Sequence, residues 1–129
     1  MTLYTPAVRD LSAATNADLL ELCSLQFVDG SVIDLTGGSL AMQVRDKPAG
    51  TVYLDLSSGS TTANGSGVII TDAAAGTFTI DVKKADFAAL SFGADTAIAG
   101  VYDLVFTNSS GSAIVLVRGR FTITVGVTA

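Results

Sequence analysis

The sequence predicts an all-β domain: a two-sheet antiparallel sandwich of about seven or eight strands, with one short helix near residues 83–91. Three observations carry that expectation. Apolar residues recur with a period of two along most of the chain, the spacing of a half-buried strand. Turn dipeptides and Ser/Thr/Asn/Gly clusters interrupt those runs at short intervals. The chain also lacks the long helices that a parallel sheet needs between its strands. Its 129 residues form a single domain, 1–129. With 49% hydrophobic and 15% charged residues it is no disordered chain, and folding at this mass hides roughly two-thirds of the surface.

The elements follow in order. Residues 1–14, with Tyr4, Pro6, Val8 and Leu11, form an N-terminal arm or edge strand. Pairing within the chain's own sheet is favoured, and the alternative is strand addition to a neighbour's edge. Asn16 followed by Ala17-Asp18-Leu19-Leu20-Glu21-Leu22 reads as a cap and one helical turn leading into a strand. In that strand Cys23, Leu25 and Phe27 point inward and Ser24 and Gln26 outward. Asp29-Gly30 and Gly37-Gly38 are turn dipeptides. Leu40, Met42 and Val44 then alternate with Ala41, Gln43 and Arg45, and Val52, Leu54 and Leu56 with Tyr53 and Asp55. Residues 57–67 form a Ser/Thr/Gly/Asn loop. Phe78, Ile80 and Val82 alternate with Thr77, Thr79 and Asp81. Lys83 to Phe92 is rich in helix formers and supplies the short helix. Tyr102, Leu104 and Phe106 alternate with Asp103 and Thr107, and residues 108–112 read as a hairpin connection into the last strand. There Val115, Val117, Phe121, Ile123 and Val125 share the inward phase, opposite Arg118, Arg120, Thr122 and Thr124. Gly119 occupies the inward phase without a side chain and marks a bulge, a bend or a close neighbour. Ile114 and Leu116 fall on the outer face. Cover by a loop is the default reading, and contact with another subunit is the alternative.

The side-chain inventory excludes much chemistry. Seven Lys and Arg against twelve Asp and Glu give a net charge of −5, with no histidine. The cations are spread along the chain, the closest being Lys83-Lys84 and Arg118/Arg120, so neither nucleic acid nor an anionic membrane surface is an expected partner. Without histidine the Ser-His-Asp and Cys-His arrangements and the usual zinc sites are gone. The carboxylate pairs Asp29/Asp34 and Asp81/Asp86 fall in turns or at strand ends, where Asp bonds locally, rather than forming a glycosidase pair. No calcium loop or phosphate-binding loop is present. Cys23, the single cysteine, reads as a small buried hydrophobe rather than a reactive thiol. No catalytic residue, metal or cofactor is expected. The start lacks a basic segment followed by an apolar run, so no signal peptide is expected.

Several segments, in order, resemble a known family. They are Phe27-Val28-Asp29-Gly30, Asp34-Leu35-Thr36-Gly37, the run from Ile69 to Ile80 containing Asp72-Ala73-Ala74-Ala75-Gly76, Tyr102-Asp103-Leu104-Val105-Phe106, and Val117-Arg118-Gly119-Arg120-Phe121-Thr122-Ile123. Their order and spacing over residues 20–128 resemble the small immunoglobulin-like β-sandwich proteins of tailed-bacteriophage virions, nearest the N-terminal-like domains of baseplate upper proteins. Gly100 stands two residues before Tyr102, where relatives often carry another aromatic. The resemblance implies an immunoglobulin-like sandwich and a non-enzymatic structural component of the tail, baseplate or head–tail region. Such a protein is made in the host cytoplasm, resides in the virion, and assembles with other virion proteins and copies of itself.

The alternative function is a capsid decoration or a host-surface module that binds carbohydrate. Tyr53, expected to face outward in mid-strand, is its best candidate, against a competing role in cross-strand packing. The candidate partner contacts are therefore Tyr4, Val8, Tyr53, Ile114 and Leu116.

Overall fold

The computed structural model describes residues 6–27 and 30–128. Among them nine strands and one helix run in the order β1 (Ala7–Val8), β2 (Leu11–Ala14), β3 (Leu19–Ser24), β4 (Ser39–Arg45), β5 (Val52–Ser57), β6 (Gly67–Asp72), β7 (Thr77–Val82), α1 (Lys84–Ala88), β8 (Ala97–Thr107) and β9 (Ala113–Thr124). They form two sheets. The larger has the order β1-β9-β8-β4-β5, with β2 also paired to β9, and the smaller has the order β3-β7-β6. Tyr4 and the Asp29 half of the Asp29-Gly30 turn lie outside the described residues.

The all-β sandwich is the expected one, with one short helix. The strand count rises above the expectation because the N-terminal segment splits in two. Both pieces pair with β9 in parallel, Ala7 opposite Val117 and Leu11 opposite Phe121. The remaining pairings are antiparallel. Residues 7–14 thus belong to the chain's own sheet, and Leu11 is part of the core. The helix covers Lys84–Ala88, shorter than 83–91, and buries Phe87 against Phe121 with ring centroids 6.2 Å apart.

Where a helical turn was expected after Asn16, residues 19–24 instead form β3. Asn16 caps nothing there: its Nδ2 donates to the Thr128 carbonyl at 2.9 Å. Leu19 to Ser24 instead pair with β7 along their whole length, Leu19 opposite Val82 and Cys23 opposite Phe78. Pairing along a whole strand outweighs the weak local preference of a few helix formers.

Between the sheets lies one core. Phe78, Ile80 and Val82 face Leu40, Met42, Val44, Leu54, Leu56, Leu104, Phe121 and Ile123. Each such side chain contributes about 1.5–3 kcal/mol when fully removed from water. Ile33 and Leu35, in the connection before β4, join the same core.

Two bulges alter the expected phases. In β8–β9, Leu104 pairs with Val117 but Val105 pairs with Val115, so Leu116 is the extra residue. In β4–β5, Val44 pairs with Leu54 but Arg45 pairs with Val52, so Tyr53 is the extra residue. A bulge reverses the alternation on one side of it relative to the other, here for the residues that precede Leu116 and Tyr53. Leu116 is accordingly fully buried beside Val117, and Val52, expected inward, is exposed.

At Gly119 the close neighbour is the start of the chain. Between β1 and β2, Arg9 and Asp10 step out of the ladder, and the Arg9 carbonyl lies where a Cβ at position 119 would stand. Tyr102 Oη donates to that same carbonyl at 2.6 Å, and Asp10 Oδ1 accepts the Arg120 N–H at 3.0 Å.

Candidate functional site

Of the carboxylates named as possible acid–base pairs, Asp34, Asp81 and Asp86 are local fasteners, and Asp29 lies outside the described residues. Asp81 pairs with Lys83 at 3.2 Å. Asp86 accepts hydrogen bonds from Thr62 Oγ1 (2.7 Å), Asn64 Nδ2 (2.8 Å) and Ser66 Oγ, and so ties the 57–67 loop to α1. Partial burial pushes the Asp86 carboxyl up, but these donors outweigh it and hold it below the usual carboxylate range. Asp34 Oδ1 accepts the Thr36 N–H at 2.9 Å within its own turn, and hydrogen bonding to Thr36 holds its carboxyl low as well. Among the described residues, no group of three or more His, Cys, Asp or Glu is placed to hold a metal ion. Cys23 is buried, and burial pushes its thiol up, the reverse of what a nucleophile needs. No helix of the described residues is long and apolar enough to cross a membrane.

A groove of about 720 Å³ lies on the outer face of the larger sheet. Strand register builds it from successive rows. Arg45, Val101 and Arg120 are aligned across β4, β8 and β9. The next row is Gln43, Asp103 and Arg118, extended onto β1 by Val8. Val115 lines the groove beyond that row, and Pro6 and the Pro48-Ala49 turn complete its walls. Val8, Val101 and Val115 supply apolar surface, and Arg45, Arg118 and Arg120 line the groove with them beside one carboxylate, Asp103. Arg45 is held in place, donating to Gln43 Oε1 at 2.7 and 3.1 Å and to the Gly50 carbonyl at 2.8 Å. Arg118 and Arg120 make no ion pair among the described residues. The cations that look scattered in sequence are thus partly gathered: three of the chain's seven line one groove.

The expected contact residues fare differently. Val8 is exposed and lines the groove. Ile114 is partly exposed, but it pairs with the inward-facing Phe106 at the end of the sheet. Leu116 was expected on the outer face and is instead core, because the bulge gives it an inward place. Tyr53 was expected to present its ring to solvent. As the extra residue of its bulge it is half-buried, packs against the core and lies over Gly100. Gly100, two residues before Tyr102, leaves room chiefly for the Arg45 carbonyl, which lies 2.6 Å from where a Cβ would stand, with the Tyr53 ring beside it at 3.4 Å. Val115 and Val101, absent from the expected contacts, take the outward apolar role. Simple alternation assigned Val115 to the interior, and nothing in the local sequence marks the bulge that reverses it.

No family model matches the sequence, and a search of curated proteins finds no match. Solved structures do match. A crystal structure of chicken TCR is similar over 95% of this chain and 55% of that chain, at 12% identity and a TM-score of 0.52. This chain therefore spans about half the length of that one. The ZIG-8–RIG-5 IG1–IG1 heterodimer matches over 95% of this chain and 84% of that chain, at 9% identity and a TM-score of 0.44. Murine CRIg matches over 98% of each chain, at 13% identity and a TM-score of 0.41. The first of these carries the fold assignment. With the order β1-β9-β8-β4-β5 facing β3-β7-β6, it identifies an immunoglobulin-like two-sheet sandwich.

Proposed function

We propose that this chain is a non-enzymatic structural component of a tailed-phage virion, in the tail, baseplate or head–tail region, and that it docks onto neighbouring proteins through the outer face of its larger sheet. The observation that carries the docking role is the groove: apolar surface from Val8, Val101 and Val115 beside three cations, Arg45, Arg118 and Arg120, against one carboxylate, Asp103, on a chain whose net charge is −5. A buried apolar contact supplies affinity, and the guanidinium groups select carboxylate-bearing surfaces and fix register. The ordered motifs from Phe27 to Ile123 support the virion context. The carbohydrate alternative loses support, since Tyr53 packs inward instead of offering a ring face.

The test is incorporation. Mass spectrometry of separated heads and tails locates the protein in the particle. The double variant Arg118→Glu/Arg120→Glu is then supplied in place of the wild type. The expected outcome is a variant with an unchanged circular dichroism spectrum whose copy number in particles drops roughly tenfold or more. Absence of the wild-type protein from purified particles sinks the virion assignment. Normal incorporation of the variant sinks the role of the groove.

A further inference from the structure

Sheet edges expose unpaired backbone groups, and most edges of this molecule are guarded. The β1/β2 edge is short and breaks at Arg9-Asp10. The β5 edge carries the Tyr53 bulge and the exposed Asp55. The β6 edge begins with Gly67 packed against the Ser57 carbonyl and breaks at the register shift between Ile70 and Asp72. β3 is the least guarded of them. Leu19–Ser24 pairs with β7 for its whole length without a register shift, and it contains no proline, lysine or arginine. Its one charged side chain, Glu21, shares the inward phase with Cys23 and is ion-paired with Arg9. On the outer face Leu20 is 61% and Leu22 73% exposed. Leu22 lies in one row with Thr79 and Ile69, so apolar surface continues from the edge strand across the sheet.

We infer that β3 pairs antiparallel with β3 of a second copy of this chain, fusing the two small sheets into one continuous sheet about a two-fold axis. The sequence of the strand is suited to itself. In such a pair, residues of the same phase stand opposite one another. The register centred on Leu22 sets Leu22 against Leu22, Glu21 against Cys23 and Leu20 against Ser24. Leucines that water now surrounds cover one another, and no like charges are opposed. The net charge of −5 makes most surfaces of this chain repel a copy. The β3 edge escapes that repulsion, because Arg9 already neutralises its single carboxylate. The pairing involves the small sheet alone, so it stands or falls independently of the groove and of the particle.

The experiment is sedimentation equilibrium of the full chain over a range of concentrations, with amide hydrogen exchange read on residues 19–24. The expected result is a dimer whose β3 amides become more protected as concentration rises. Leu22→Lys, at a solvent-facing position, keeps the wild-type circular dichroism spectrum and weakens the dimer roughly tenfold or more. Val8→Lys, in the groove, leaves the dimer intact. A monomer at every concentration overturns the inference, as does exchange in β3 that ignores concentration. A dimer that Val8→Lys abolishes and Leu22→Lys spares overturns it too, and places the contact at the groove.

Discussion

Two fastenings hold the ends of this sandwich together, and they are built from opposite materials. One secures the start of the chain: the Arg9 carbonyl rests on Gly119 and accepts a hydrogen bond from the neutral hydroxyl of Tyr102. The other secures the 57–67 loop: the ionised Asp86 carboxylate gathers donors from Thr62, Asn64 and Ser66. The first depends on empty space and on a group that stays protonated. The second depends on a charge. One fold can therefore be loosened from either end of the pH scale, at different places, and substitutions discriminate between the two.

The largest expected effect is at Gly119. Valine there drives its side chain into the Arg9 carbonyl, which is backbone and cannot swing away as a flexible side chain would. Overpacking of this kind costs about 1–3 kcal/mol or more. The expected result for Gly119→Val is a lower urea midpoint together with fast amide exchange over residues 7–14, because β1 and β2 lift from β9. Ala13 and Leu11 lose their ladder in that state. An unchanged midpoint with slow exchange there would show that the chain start has another path across β9.

The Asp86 fastening comes next. Asp86→Ala leaves the hydroxyl of the fully buried Ser66 without its acceptor, at a cost of about 1–3 kcal/mol. The same site sets a pH dependence. Since the Asp86 carboxyl is held low in the folded state, the unfolded chain binds more protons as acid is added. Its contribution is fully present above the ordinary carboxylate value and is lost as pH falls through the lower folded one. Denaturant midpoints measured down through that range should fall less steeply for Asp86→Asn than for the wild type. The part of the slope that remains includes Asp34, which Thr36 also holds low. Equal slopes in the two proteins would remove Asp86 from the account.

These fastenings also mark where the chain is legible before it is folded. The alternation at Leu40–Arg45 and Tyr102–Phe106 survives, because the extra residue of each bulge sits on the partner strand, and Thr77–Val82 keeps its inward phase although Thr79 on the other face is also buried. It fails at Leu116 and Tyr53. A bulge adds one residue without any local marker, and neither position has a glycine beside it to signal the break. Gly119 could be read as a close approach, but not which segment approaches, since that follows from β1 and β2 joining β9 in parallel. The groove is a similar case. Gln43, Arg45, Asp103, Arg118 and Arg120 can each be assigned to an outer face from phase alone. Their alignment needs β4 to neighbour β8, a crossover between sequence-distant strands that no local pattern encodes.

The Tyr102 hydroxyl contributes least, and its contribution is lost on the alkaline side. Tyr102→Phe keeps the ring, and so keeps the edge-on contact with Phe121 at 6.0 Å, but removes the hydrogen bond to Arg9. A single neutral hydrogen bond contributes about 0.5–1.5 kcal/mol, so the midpoint should drop modestly at neutral pH. Burial, with the neighbouring Cys23 adding to it, pushes the Tyr102 phenol up to about 12. Its unfolded counterpart ionises near 10. The folded chain therefore holds the proton that the unfolded chain releases, and the stabilisation is whole below pH 10 and drains away as pH rises toward 12. The wild type should lose stability across that interval and Tyr102→Phe should lose less, so that the two midpoints converge as the solution becomes alkaline. The tyrosinate absorbance, followed as pH rises, should lose its latest-rising component in the variant. Midpoints that stay a constant distance apart from neutral pH upward would mean that the hydroxyl contributes through packing alone, and that the start of the chain is held by the fit at Gly119 without help from the phenol.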